Sequence, residues 1–135
     1  MCEAHPMSSI QVADQTFVAV PGSVVAEALS HPARWRVWWP DLRLVVTDDR
    51  ADKGIRWAVD GALTGTMEVW LEPVSVLDGV ILHYFLHAEP AGARTVDLAA
   101  ENRQRRAAGK VMAFELKRGL EAGRAAGERP QHARP

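Results

Sequence analysis

Two stretches in the middle of the chain alternate apolar and polar residues with a period of two, and they constrain the fold more than any other feature. From Thr66 to Glu72, Met67, Val69 and Leu71 fall on one side and Thr66, Glu68, Trp70 and Glu72 on the other. From Val80 to Glu89 the pattern repeats, with Val80, Leu82, Tyr84, Leu86 and Ala88 set against Ile81, His83, Phe85, His87 and Glu89. Successive side chains of a strand point to opposite faces, so each stretch reads as a strand with one apolar face. Asp78-Gly79 between them is a strong two-residue turn signal, which makes the pair an antiparallel hairpin. The apolar face must be covered, and the rest of the sequence has to supply the cover.

The flanking segments supply further strands and helices. Ser9 to Val20 alternates as a long first strand, with Ile10, Val12, Asp14, Thr16, Val18 and Val20 on one face. Pro21-Gly22-Ser23 breaks it and offers Ser23 as the N-cap of a short helix whose stripe is Val24, Val25, Ala28 and Leu29. Ser30-His31-Pro32 stops that helix, and Pro32 opens a second one reaching Val37. Leu44–Thr47 and Ile55–Val59 read as two more strands, parted by a polar turn over 48–54, and Gly61 and Gly65 bracket a bend. Thr95–Leu98 is too short to count as another strand. The cover comes last: Arg103 to Arg124 has no proline and places Ala108, Val111, Met112, Leu116 and Leu120 on one helical stripe. Gly109 and Gly119 each weaken that helix by up to about 1 kcal/mol relative to alanine, so close packing on the sheet is expected there. Residues 1–8 read as an irregular leader, 9–123 as one domain and 124–135 as a disordered tail.

Composition removes several classes. With 135 residues, 47% hydrophobic and 24% charged, the chain matches one globular domain rather than a fibre or a disordered tail. No apolar run approaches the roughly 20 residues of a membrane span, and Met1–Ser9 lacks a secretion signal, so a cytoplasmic protein without integral membrane association is expected. The single cysteine, Cys2, allows neither an internal disulfide nor a cysteine cluster for zinc. Charge is uneven: 7 basic against 13 acidic residues through Ala100, then 9 basic against 4 acidic. Arg103, Arg105 and Arg106 read as solvated residues at a helix start, so nucleic acid is not the expected partner. Thirteen arginines against three lysines fit a GC-rich coding sequence of actinobacterial type.

The element order is strand, two short helices, antiparallel meander, long C-terminal helix. With the opening "SIQVADQTFVAVPGSVVAEALSHPARW" and the "RVWWP" that follows, the chain resembles the helix-grip superfamily, the START-like and polyketide cyclase/dehydrase lipid-transport proteins. The resemblance covers about residues 9 to 123 and implies an α+β fold, a curved antiparallel sheet wrapped around the long C-terminal helix with a ligand cavity between them. The usual sheet there has seven strands and five are legible here. Loss of one hairpin keeps the direction of the last strand, so it can still pair antiparallel with the first, but it shrinks or opens the cavity. A cone-shaped fold of the nuclear-transport-factor type ranks behind, because that fold begins with helices.

In such a fold the alternation aims Trp57, Met67, Val69, Leu82, Tyr84 and Leu86 at the space under the helix, with Val111, Met112 and Leu116 opposite and Trp38 or Trp39 near an entrance. A filled core is the competing reading of the same stripes. Trp35, Trp38 and Trp39 lie within five positions, and such rings commonly plug a helix–sheet junction with the indole N–H bonded at the rim. The expected ligand is a hydrophobic small molecule, lipid-like or polyketide-like; a cyclase or dehydratase using Tyr84 with His83 or His87 is the alternative. The discriminator is register. Four residues apart on a strand, the two histidines are about 13 Å apart, too far to share a metal ion, and they fall on the outward face near Glu68 and Glu72. No nucleophile motif, phosphate loop or zinc signature is present, "GALTG" lacks a following helix, and Arg56 and Asp60 point away from Trp57. No metal and no cofactor are therefore expected. The outward face also carries Trp70, Phe85 and Ile81, an aromatic patch suited to a homodimer or a partner protein.

Overall fold

The computed structural model describes residues 8–92 and 96–121. The elements run β1 (Ile10–Val18), α1 (Gly22–Leu29), α2 (Pro32–Trp38), β2 (Leu42–Asp49), β3 (Gly54–Gly61), β4 (Leu63–Val74), β5 (Gly79–Pro90) and α3 (Leu98–Glu121), with single 3₁₀ turns at Ala51–Lys53 and Ser75–Leu77. The strands form one antiparallel sheet in the order β1-β5-β4-β3-β2. The last strand does pair with the first, from Ile10 opposite Ala88 to Val18 opposite Val80. Each inward residue of β4 and β5 is buried, including Met67, Val69, Leu71, Leu82, Tyr84 and Leu86. One core cluster joins this face to α1, α2 and α3. Among the described residues no helix is long and apolar enough to cross a membrane.

Local chemistry explains where the elements differ from expectation. The β4–β5 connection is not a two-residue turn: Ser75–Leu77 makes a 3₁₀ turn and Asp78 takes a left-handed φ of 51° before Gly79. An aspartate tolerates that conformation better than most side chains. α1 starts two residues earlier than Ser23 as N-cap would set it, with Pro21 at the N-cap and its carbonyl accepting from Val24 and Val25. α3 starts at Leu98, five residues before the expected Arg103, because Asp97 caps it: its carboxylate accepts from Ala100 N–H at 3.2 Å and its carbonyl from Glu101 N–H at 2.9 Å. Leu98 is therefore helical, and Thr95 lies outside the described residues. So do residues 1–7 of the expected leader, Cys2 among them, and the whole expected tail 124–135.

The stripe of α3 is rotated from the one that hydropathy picks out. Arg105, Gly109, Met112, Ala113 and Leu116 are buried, whereas Val111 is 50% exposed and Phe114 points outward as well. Gly109 sets the rotation. A Cβ there would sit 2.7 Å from the Tyr84 ring, so only glycine lets the helix come down onto that ring. Gly119 has open space around its missing side chain, and packing gives no account of it.

α3 also closes one edge of the sheet. Asn102 accepts from Gln11 N–H at 2.9 Å and donates to Ser9 C=O at 3.0 Å, Lys117 Nζ donates to Phe17 C=O at 2.7 Å, and Glu121 accepts from Ala19 N–H at 2.8 Å. Lys117 and Glu121 also pair with each other at 2.7 Å. The β1 edge thus has side-chain partners at both of its ends.

Candidate functional site

The site is built from aromatic rings. α2 is short, and its sequence Trp35-Arg36-Val37-Trp38 followed by Trp39 throws three indoles towards the sheet, all buried. Trp35 packs edge-on to Trp57 of β3 with centroids 5.4 Å apart, Trp57 meets Trp39 at 5.9 Å, Trp39 meets Trp38 at 5.6 Å, and Trp39 stacks on Tyr84 of β5 at 6.0 Å and 11°. Pairs of this kind each contribute about 0.5–1.5 kcal/mol beyond the area they bury. Two of the indole N–H groups end at partners: Trp35 donates to Leu29 C=O at 2.7 Å and Trp38 to Glu115 of α3 at 2.9 Å.

The other polar atoms of the cluster do not. Trp39 Nε1, Trp57 Nε1 and Tyr84 Oη are buried without a hydrogen-bond partner among the described residues. The Trp39 N–H lies close enough to Tyr84 to favour its phenolate slightly, but the two do not reach hydrogen-bond geometry. Leaving a buried polar group unsatisfied costs about 1–3 kcal/mol, so three in one ring cluster need a reason. Burial drives the Tyr84 hydroxyl well above its ordinary pKa, outweighing the opposing pull of Trp39 and of Arg105, so it stays protonated and can donate.

Arg105 forms the charged rim. It is 3% exposed, bonded by two nitrogens to Asp41 at 3.0 and 2.7 Å and by a third to Glu101 at 2.9 Å. Burial works against its charge, yet Asp41 and then Glu101 more than compensate, and its pKa is raised. The expectation of a solvated Arg105 is corrected here, while Arg103 and Arg106 are exposed. The sequence does hold a signal for it, because Arg105 shares a helical face with Gly109, Met112 and Leu116.

Of the residues expected to line the space under the helix, Trp39, Trp57, Met67, Val69, Leu82, Tyr84, Leu86, Met112 and Leu116 come together in the core cluster. Val111 does not, for the reason given above. All nine are buried. Two clefts open at the surface elsewhere, one of about 300 Å³ between α1 and the Ala51–Lys53 turn, one of about 320 Å³ at Pro21, Pro73 and Gly79. None of the expected residues lines either.

The histidines lie outside. His83 sits opposite Trp70 and His87 opposite Thr66 on the far face of the sheet. His83 bonds Glu72 at 2.8 Å and is stacked between Trp70, at 4.5 Å, and Phe85, at 6.3 Å. Glu68 is held by Arg50 at 2.6 Å rather than by a histidine. Arg56 and Asp60 are exposed, and Asp60 pairs with Arg43 at 2.8 Å. Among the described residues no group of three His, Cys, Asp or Glu is arranged to hold a metal ion.

No protein-family model matches the sequence, and no curated protein is significantly similar to it. Solved structures do match in shape. The Aha1 dimer from Colwellia psychrerythraea superposes with a TM-score of 0.60 at 16% identity, covering 86% of this chain and 99% of that one. DR_A0006 from Deinococcus radiodurans gives 0.58 at 14% identity over 82% and 99%. TTHA0849 from Thermus thermophilus gives 0.50 at 12% over 84% and 99%. The chain has the helix-grip fold. At these identities the likeness is one of architecture, a curved antiparallel sheet around a long C-terminal helix, and the chemistry must come from the residues of this chain.

Proposed function

We propose that this protein binds a hydrophobic small molecule that carries at least one hydrogen-bond-accepting oxygen, in the aromatic cluster between the sheet and α3. The observation behind this reading is the set of three donors, Trp39 Nε1, Trp57 Nε1 and Tyr84 Oη, left without partners inside a cluster of rings. A carbonyl or ether oxygen placed among them would satisfy the donors, while Met67, Val69, Leu82, Leu86, Met112 and Leu116 would take the apolar body. Because the lining residues are buried, entry is through a parting of α3 from the α2–β2 segment, where Trp38–Glu115 and Arg105–Asp41 bridge the two. Binding energy has to offset the breaking of those contacts.

A cyclase or dehydratase would use the same donors to polarise a carbonyl. Both histidines lie on the opposite face, and Tyr84 is held protonated, which favours a binder over acid–base catalysis. The Colwellia protein is a dimer, which supports self-association as the arrangement for this chain too.

The test replaces donors and keeps rings. Trp39→Phe, Trp57→Phe and Tyr84→Phe remove N–H or O–H groups from an apolar environment. Native mass spectrometry of the purified wild type, with organic extraction, is expected to show an oxygen-bearing hydrophobic adduct that Tyr84→Phe loses. Tyr84→Phe is expected to be about 1 kcal/mol more stable than the ligand-free wild type in urea unfolding, since it removes an unsatisfied group. Destabilisation by Tyr84→Phe, with no adduct on the wild type, would make the cluster plain core.

A further inference from the structure

β2 is the outermost strand of the sheet and pairs with β3 alone. Every residue from Val45 to Asp49 is exposed, with Val45 at 65% and Val46 at 41%. Among the described residues nothing beyond β3 bonds the backbone of Arg43–Thr47, in contrast to the β1 edge that α3 seals. An open edge with apolar residues on it is a template for another strand, and natural sheets usually blunt such edges with lysine, proline or a covering segment. Leu44-Val45-Val46 has none of these.

Charge along the strand selects the occupant. β2 is basic near its start, at Arg43, and acidic at its end, at Asp48 and Asp49. Cross-strand partners meet only on one face of a sheet, and by simple alternation Arg43 and Asp48 would lie on opposite faces. The bulge between Val46 and Asp48 changes that. Arg43 stands opposite Asp60, Val45 opposite Ala58 and Asp48 opposite Arg56, so all three share the outer face. A second β2 running antiparallel about a two-fold axis sets each Arg43 against the other copy's Asp48, with Val45 and Val46 at the centre. A parallel copy would bring like charges together. Arg43 also bonds Asp60, but a guanidinium has five N–H donors and can serve both carboxylates.

We propose that two copies of this chain associate through β2, edge to edge and antiparallel, so that their sheets become one continuous sheet. The interaction is independent of the ligand reading, since it uses the opposite side of the molecule's chemistry: backbone groups and charges of an exposed strand. Sedimentation velocity and native mass spectrometry of the full chain test it. The wild type is expected to be a dimer. Val45→Lys, at a largely exposed position, is expected to lose the dimer while keeping the wild-type circular dichroism spectrum. Hydrogen exchange of the Leu44–Thr47 amides is expected to slow as concentration rises. In a Cys2→Ser background, Val45→Cys is expected to form a disulfide-linked dimer roughly tenfold faster than Val37→Cys on exposed α2, as a held pair outruns random encounter. A wild type that stays monomeric at its highest soluble concentration would overturn the proposal. So would a dimer that survives Val45→Lys and is lost in Trp70→Glu, which would put the interface on the outer aromatic face.

Discussion

β1 and β2 are the two edges of the same sheet, and they meet solvent under opposite conditions. Backbone groups at and just beyond the two ends of β1 are met by Asn102, Lys117 and Glu121, three side chains spaced along α3. Among the described residues β2 has no such neighbour, because α3 packs along β1 at the other edge and α2 ends before β2 begins. The difference shows that the C-terminal helix has two tasks here: it covers the apolar face and it seals one edge. An open sheet must still deal with its second edge, and this one leaves it exposed with valines on it.

Glu121→Ala is the strongest way to break that contrast. It removes the carboxylate that accepts from Ala19 N–H and from Lys117 at a buried position, and a loss of about 2–3 kcal/mol is expected in urea unfolding. Glu121→Gln can still accept from Ala19 and should recover part of it. If Glu121→Ala cost no more than an exposed substitution, the sealing of β1 would be incidental. Asn102→Ala should cost less, about 1–2 kcal/mol, because the two bonds it makes to Ser9 and Gln11 lie nearer solvent. Its signature is local: faster exchange of the Gln11 amide with the other strands unchanged.

The matching change on the open edge should do almost nothing to the single chain. Val45→Lys in dilute solution is expected to alter unfolding free energy by no more than about 0.5 kcal/mol, the usual range for an exposed site with no special contact. A loss of several kcal/mol, measured where the chain is monomeric, would show that β2 is held by something other than β3.

The contrast between the edges also marks what the residues alone could reveal. Period-two alternation fixed the inward faces of β4 and β5, because a one-residue slip would have exposed every apolar side chain of both strands. It also placed His83 and His87 outside and Trp57 and Tyr84 on the inward face. The orientation of α3 was harder. A stripe drawn through apolar residues takes in Val111 and omits Arg105, whereas the buried face includes Gly109, where a Cβ would collide with the Tyr84 ring. Arg105 is buried because Asp41, 64 positions away in sequence, neutralises it, and no local pattern announces so distant a partner. Asp97 did carry a legible cap signal, followed as it is by Leu98-Ala99-Ala100-Glu101 and a helical stretch. The edge status of β2 follows only from strand order, and its bulge, which brings Arg43 and Asp48 to one face, only from the paired backbone.

The smallest expected effect concerns the start of β1, where the seal gives way to a single exposed carboxylate. Glu89 accepts from Ser9 N–H at 2.8 Å, and its bonds to Ser9 lower its pKa below the ordinary value of 4.5. A carboxyl whose pKa is lower in the folded state stabilises that state above its unfolded pKa and loses the contribution as pH falls through the folded one. The stabilisation is therefore intact at neutral pH and disappears on acidification below about 4.5, the reference value for the free group. Because Glu89 is fully exposed, solvent screens the interaction and the global melting temperature should move little. Amide exchange at Ser9 and Ile10, corrected for the intrinsic pH dependence, should quicken over that window in the wild type and be pH-independent in Glu89→Gln. A more acidic window, below about 3.8, applies to Arg43–Asp60 and gives the comparison on the other edge. There the Gly61 N–H and then Arg43 lower the Asp60 pKa, so acidification frees Arg43 while β2 stays paired with β3. Fraying confined to β1 would confirm that its edge depends on side chains, whereas fraying of β2 as Asp60 is protonated would mean that both edges rest on exposed carboxylates.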